Sequence, residues 1–400
     1  MDAIILAGGK APPLSNYRHR IAINGTFSHA NPTGLGVHTH ELLCELLKIP
    51  GDKDLLVYSG SRELKALYPE KVSLVNRHTS PALGFKGHIL RLLWQQTVLP
   101  YKLRKQKADM LYSTVPEGIL NSAIRQVITV HDILPLKYPD IYPRMKYHFY
   151  YNLPVLLKNA HAIVCVSENT KKDVISYYGV KDKSIHVIYN GYDNKRFYPR
   201  EKGAMKKKYG LLRYLLYVGD MRPYKNLERS IEAFAILNPD NTHFVIAGGK
   251  DKRFYPSIKN KVDALGLTDR VIFPGYVPQE DLPHLYSDAA MLVFPSLYEG
   301  FGLPPLEAMA CGCPVLTSRT TSLPEVCGEA AVYVDPYSAG SIAEGMKRML
   351  ADDEGRARSA RKGLERAKLF SWEKTAKETM RMLENCVAAI SACPPPYGRN

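Results

Sequence analysis

Two glutamates eight positions apart, Glu299 and Glu307, enclose the run Gly300-Phe301-Gly302-Leu303-Pro304-Pro305-Leu306. Gly300 and Gly302 let a backbone turn pass close to a ligand, and the two prolines suit the first turn of a helix continuing through Glu307, Ala308 and Met309. Free backbone N–H groups at the start of such a helix attract anions, phosphate above all. The carboxylates repel a bare phosphate but accept hydrogen bonds from hydroxyls. A ligand that carries both phosphates and sugar hydroxyls satisfies the whole stretch. Three further side chains have chemistry that matters if they reach the same place. They are His131, followed by Asp132, and the loop cations Arg222 and Lys225. Arginine can bind phosphate through two parallel N–H bonds, and lysine supplies a point charge.

Each of these residues follows a short apolar run that reads as a buried strand. Ala290 to Phe294 leads into the glycine turn, and the β-branched run Gln126 to Val130 delivers His131 and Asp132 to a strand's C-terminal end. Leu215 to Gly219 precedes Arg222 and Lys225, and Val271 to Phe273 precedes Gly275-Tyr276-Val277. Near the start, Arg20 to Asn24 is followed by a loop with Gly34 and Gly36 and an amphipathic helix from Val37 to Leu47. Further strands are expected at 55–58, 72–75, 110–112, 162–166, 185–189, 242–247 and 314–318. Ser167, Asn169 and Thr170 read as caps of a following helix. Asn190-Gly191 reads as a turn that closes a first domain, and Asn194 to Lys208 as a polar linker. Strand, turn and helix therefore alternate through two successive units, the pattern of open α/β sheets, whose ligands sit outside the C-terminal strand ends.

The glutamate pair with its interior G-F-G-L-P-P-L and the continuation A-M-A-C-G-C-P-V resembles the signature of retaining nucleotide-sugar glycosyltransferases of family four. The resemblance covers about residues 20 to 385. It implies the GT-B fold, two Rossmann-like doubly wound domains facing a cleft. The expected division is an acceptor domain at 1–195, with 1–19 a leader of uncertain role, a nucleotide-sugar domain at 196–375, and a terminal helix crossing back with a disordered tail at 376–400. It also implies roles. His131 contacts the donor sugar and Arg222 and Lys225 bind the diphosphate, although many members space these two cations more widely. Gly34 and Gly36 face the donor phosphates and the acceptor. Glu299 and the backbone of Gly300, Phe301, Gly302 and Leu303 meet the sugar and phosphates, Glu307 the ribose, and Tyr276 and Val277 the base. The G-F-G-L-P-P-L-E form from Gly300 to Glu307, together with H-D-I-L-P from His131 to Pro135, resembles the mannosyltransferase branch, which implies a GDP sugar such as GDP-mannose as donor. A glycan or lipid-linked glycan is the implied acceptor. No cofactor and no metal is expected, because the diphosphate charge already has cationic partners. Asp52-Lys53-Asp54, a D-x-D string, is expected in a surface loop. Two alternatives remain at this point, a nucleotide-sugar epimerase on the same scaffold and a non-catalytic binding protein that keeps the pocket.

Composition sets outer bounds. Four hundred residues exceed what one small core needs and fit two domains. No apolar run approaches the roughly eighteen residues of a membrane span, and Met1-Asp-Ala-Ile-Ile-Leu-Ala-Gly-Gly9 is no signal peptide, which points to the cytoplasm. That opening resembles sugar-1-phosphate nucleotidyltransferases, but Lys10-Ala-Pro-Pro-Leu14 ends the likeness. Seven scattered cysteines are expected as reduced thiols. The net charge of +15 is concentrated in the first domain. Between Arg62 and Lys107 there are ten Lys or Arg against only Glu63 and Glu70, interleaved with the apolar segment Ile89 to Trp94. No recognised nucleic-acid module accompanies them. An anionic membrane surface is the partner this segment suggests, met by Lys102, Arg104, Lys105 and Lys107 with Trp94 beside them. A solvated helix with its apolar side in the core is the competing reading.

Overall fold

The computed structural model describes residues 19–29, 34–50, 54–211 and 213–392. The N-terminal opening, Asp52 of the D-x-D string and the tail from Cys393 lie outside them; Asp54 begins a strand and accepts a hydrogen bond from Arg20. The first sheet has seven parallel strands, β1 (Arg20–Gly25), β2 (Asp54–Ser59), β3 (Val72–Leu74), β4 (Met110–Ser113), β5 (Arg125–Val130), β6 (Ala162–Cys165) and β7 (Ile185–Val187), in the order β3-β2-β1-β4-β5-β6-β7. The second has six, β8 (Tyr214–Val218), β9 (His243–Ala247), β10 (Val271–Gly275), β11 (Met291–Phe294), β12 (Val315–Ser318) and β13 (Ala331–Val334), in the order β10-β9-β8-β11-β12-β13. Every strand pair is parallel, and helices cover both faces, so runs such as Met-Leu-Val-Phe in β11 are buried throughout. β13 is a strand where the sequence suggested no element, and helix Ala204–Tyr209 interrupts the expected linker. In each sheet the strand order reverses beside the first strand, between β1 and β4 and between β8 and β11. Those two switch points mark the crevices where open α/β sheets bind ligands.

The chain crosses between the sheets twice. Helix Trp372–Ala392 returns to the first sheet, where Ala376, Met380 and Leu383 share an apolar cluster with Ile21, Leu42 and Leu46. At the crossing Thr375 donates to the Tyr189 carbonyl at 2.7 Å, and a Cβ on Gly191 would stand 2.0 Å from the backbone nitrogen of Trp372. Glycine there allows the two crossing segments to touch. The described cysteines are all free thiols, buried except for the half-buried Cys44.

Helix Gly84–Lys105 departs from the expected pattern. Its buried face is Gly87, Arg91, Gln95, Leu99 and Leu103, four residues apart along one stripe. Arg91, 2% exposed, makes two 2.8 Å bonds to the Glu117 carboxylate, which also accepts from Gln95 at 2.7 Å. Burial alone would raise the Glu117 pKa, but the Arg91 guanidinium outweighs it and holds the carboxyl well below its usual range. With an ion pair filling the inner face, Phe85, Ile89, Leu90 and Leu93 are left exposed. Trp94 is half-buried, its ring edge-on to Tyr58 at 5.9 Å, so it belongs to the core side and not to a surface it would share with Lys102 and Arg104.

Candidate active site

Arg222, Lys225 and Glu299 come from the loops after β8 and β11, adjacent strands at the second sheet's switch point. Pro223–Lys225 forms one tight turn, and Asn226 in the left-handed region (φ 61°) closes it. The Asn226 amide donates to the carbonyls of Pro295 and Pro336, at 3.0 and 2.6 Å, tying the cation loop to the strand end that carries the glycine turn. Lys225 Nζ then lies 2.7 and 2.9 Å from the two oxygens of Glu299, with both side chains nearly buried. Arg222 is paired with Asp220 and lies over the Tyr142 ring at 5.4 Å. Tyr142 belongs to the first domain and shares a 2.8 Å hydrogen bond with Tyr224 of the second. The Glu299 backbone is fixed as well, its N–H donating to Thr321 Oγ1 at 3.1 Å and its carbonyl accepting from Ser322 at 2.9 Å.

Helix Leu303–Ala310 begins directly after Gly302 (φ 116°), which lets the chain enter the helix through the left-handed region. One turn on, Glu307 accepts from Tyr286 at 3.0 Å, and desolvation raises its pKa to about 7 despite that bond. Across the cleft, His131 directly follows β5. Its Nε2 faces the Thr114 carbonyl at 2.8 Å, and burial lowers its pKa to about 4, so the ring is neutral at physiological pH. Asp132 Oδ1 accepts from the Leu134 N–H at 2.9 Å, and desolvation raises its carboxyl to about 6. The two halves meet closely, since a Cβ on Gly300 would lie 2.1 Å from the His131 carbonyl oxygen. Arg222, Lys225, Glu299, Asp132, a neutral imidazole and the glycine turn therefore meet where the two domains touch, with Glu307 one helical turn further on against Tyr286. That set can hold a diphosphate beside a polyhydroxylated ring.

Two family descriptions match the chain, glycosyltransferase family 4 over residues 32–196 and group 1 glycosyl transferases over residues 201–366. The O-antigen chain mannosyltransferase B of Escherichia coli is 30% identical over 368 residues, covering 87% of this chain and 95% of that protein. The chain belongs to glycosyltransferase family four. A second E. coli relative, the serotype-specific mannosyltransferase WbdA, is 31% identical over 90% of this chain but is the longer protein, of which 44% is matched. The sucrose-phosphate synthase structure from Thermosynechococcus elongatus superposes with a TM-score of 0.76 at 22% identity, over 93% of this chain and all of that one, so the architecture is the two-domain GT-B fold.

The remaining glycosyltransferase motif residues differ in what their side chains do. Gly34 (φ 51°) precedes helix Leu35–Lys48 and Gly36 is buried inside it; the rest of that loop lies outside the described residues. The Phe301 ring packs against Tyr189 and Phe370, so only its backbone faces the crevice turn. Val277 is likewise buried, while Tyr276 after β10 is 70% exposed. Sequence reasoning missed the hydroxyls around the turn, Thr321 and Ser322 from its own domain and Ser167 and Thr170 from the other. For Ser167 and Thr170 the sequence signal was the cap pattern before helix Glu168–Tyr178, and for Thr321 and Ser322 it was their place in the loop after a strand.

Proposed function

We propose that this glycosyltransferase moves mannose, with retention of anomeric configuration, from GDP-mannose to a glycan or lipid-linked glycan. The observation that carries the reading is the Lys225–Glu299 pair at the switch point, facing His131 across the cleft. As the sugar–phosphate bond breaks, negative charge grows on the leaving diphosphate and positive charge on the ring. Lys225, Arg222 and the N–H groups of Gly300 to Leu303 stabilise the first in a preorganised site, and Glu299 holds the sugar hydroxyls. Glu307 takes the ribose and the backbone at Tyr276 and Val277 borders the base. Attack comes from the same face as the leaving group, whose phosphate oxygen accepts the acceptor's proton. The identity of the base and sugar rests on the mannosyltransferase relatives. With the diphosphate charge matched by side chains and N–H groups, no metal is required.

A thermal-shift screen of nucleoside diphosphates in a chelating buffer, followed by product analysis, tests this. GDP at 100 times its dissociation constant stabilises the protein by about 2.7 kcal/mol. GDP-mannose then yields a mannosylated acceptor, not an epimerised nucleotide sugar. Consumption of UDP or ADP sugars alone would sink the donor assignment, and activity abolished by chelator and restored by Mn²⁺ would sink metal independence.

The first domain's outer face supports a lipid-linked acceptor. Besides Phe85, Ile89, Leu90, Leu93, Val98 and Tyr101 of helix Gly84–Lys105, a second segment exposes Tyr147, Tyr150, Tyr151 and Val155. The two are neighbours, since one cavity is lined by Leu93 and Gln96 on one side and His148, Asn152 and Leu156 on the other, and Arg144 lies 4.6 Å over the Phe85 ring. Residues 84–105 and 142–160 hold no Asp or Glu, while Lys86, Lys102, Arg104, Arg144 and Lys158 flank the apolar band. Tyrosines and leucines ringed by cations suit an anionic bilayer surface, where each cation contributes about 1 kcal/mol and the attraction decays within about 8 Å at physiological salt. No described helix is long and apolar enough to cross a membrane. Co-sedimentation is therefore expected with phosphatidylglycerol vesicles at low salt, reduced at high salt and lost in a Leu90→Glu, Leu93→Glu, Tyr151→Ser variant. Equal, negligible binding to anionic and neutral vesicles at low salt leaves the transferase reading intact and removes the membrane one.

A further inference from the structure

We propose that Ser167, Thr170 and Glu325 are positioning residues that hold the two domains in the register the transfer needs. The proposal rests on the reading of His131 and Glu299 as donor-sugar ligands. Ser167 is the N-cap of helix Glu168–Tyr178 in the first domain, its Oγ accepting from the Thr170 N–H at 3.0 Å. The same Oγ lies 2.8 Å from the Gly300 carbonyl, in the middle of the second domain's glycine turn. Thr170 Oγ1 lies 3.1 Å from the His131 carbonyl and 3.3 Å from that of Gly300. Each hydroxyl has one proton to give. The shorter distances assign Ser167 to Gly300 and Thr170 to His131, so of these two fully buried hydroxyls Ser167 reaches across to the second domain's turn while Thr170 holds the facing carbonyl of its own domain.

Those carbonyls flank the groups that matter. One directly follows the His131 side chain and the other directly follows Glu299. Brought together without donors, their oxygens would repel and stay desolvated, which makes each hydroxyl bond costly to lose. Glu325 completes the arrangement from the second domain. Its oxygens accept from the backbone N–H groups of Glu168 and Asn169, at 2.7 and 2.8 Å, and from Tyr189 at 3.3 Å. A carboxylate on the first turn of an eleven-residue helix meets both free N–H groups and the positive end of the helix dipole. Glu325 follows Thr321 and Ser322, which already hold the glycine turn: the Ser322 hydroxyl lies between the Glu299 and Phe301 carbonyls, 2.9 and 2.7 Å away, with one proton to share. The circuit is therefore closed. One segment fixes the glycine turn within its own domain and grips the helix whose Ser167 hydroxyl fixes the same turn from the other.

Thr170→Val keeps the side chain's shape and removes the proton. Turnover at saturating donor and acceptor should fall about tenfold, with donor KM changed less than twofold because the nucleotide contacts of the donor lie in the second domain. Thr170→Ser should restore most of the rate. Glu325→Gln, which offers one oxygen for two N–H groups, should speed amide exchange at Glu168 and Asn169 without altering the global unfolding temperature by more than a few degrees. The exchange measurement needs no substrate, so it reads the lock even if the donor assignment fails. Turnover within twofold of the parent in Thr170→Val, loss not rescued by Thr170→Ser, or unchanged exchange in Glu325→Gln would each overturn the proposal.

Discussion

Lys225→Ala should lower turnover by two to three orders of magnitude while leaving nucleotide binding within a few-fold of the parent. The contact strengthens as charge builds on the departing diphosphate, and removal of one preorganised donor of that kind typically costs about a hundred- to a thousand-fold. The structure adds a second consequence. Lys225 is also the partner of Glu299, with side chains only 12% and 10% exposed, so the alanine variant leaves a carboxylate unpaired. Breaking a buried pair costs about 3–5 kcal/mol, which a melting experiment would see. The two effects separate in Lys225→Met with Glu299→Gln, which removes both charges; stability should largely return and turnover should not. If the double variant recovers turnover along with stability, Lys225 is structural and the charge-stabilisation reading fails. Glu307 supplies the contrast. Its pKa is raised to about 7 by burial, and ribose hydroxyls donate best to the carboxylate, so donor KM should fall as pH rises from about 6 to 8 with kcat nearly constant. Glu307→Ala should raise KM and flatten that profile.

How much of this was readable beforehand depended on the range of the interaction. Strands such as β5 and β11 are buried on both faces, so their apolar runs and the glycines and prolines that end them are local signals. The glycine turn is local too, and its glutamates, glycines and prolines carried the family resemblance. Helix Gly84–Lys105 was not legible in this way. Its leucines at 90 and 93 look like a core stripe by period, and only Glu117, supplied from beyond β4, lets Arg91 take the inner face instead. The hydroxyl lock was hidden for the same reason. Ser167 and Gly300 are 133 residues apart, and a serine before a helix is fully explained by its own cap. Cap chemistry and interdomain chemistry use the same oxygen, and the sequence displays only the first.

Gly300→Ala should be the most damaging single methyl in the cleft. Gly300 has no left-handed backbone to strain, so the obstacle is space alone. A Cβ there would lie 2.1 Å from the His131 oxygen, 3.0 Å from its carbonyl carbon and 3.1 Å from the Asp132 Cβ. Two of these are backbone atoms and cannot rotate away as a flexible side chain would, and they belong to the other domain. The softest response is for the domains to separate by an ångström or more at the segments crossing near Gly191 and Trp372, stretching the Ser167–Gly300 bond. A displacement of about 1 Å between groups that must meet one sugar costs on the order of a hundredfold in rate. Turnover should therefore fall at least that far. GDP should still stabilise the variant, because the nucleotide contacts lie within the second domain, and small-angle scattering should report a larger radius of gyration. Gly249→Ala is the matched control, since nothing lies within 4 Å of its added carbon, and it should retain parental turnover. A Gly300→Ala variant that turns over within threefold of the parent would mean that the two backbones need not approach as closely during transfer as they do here.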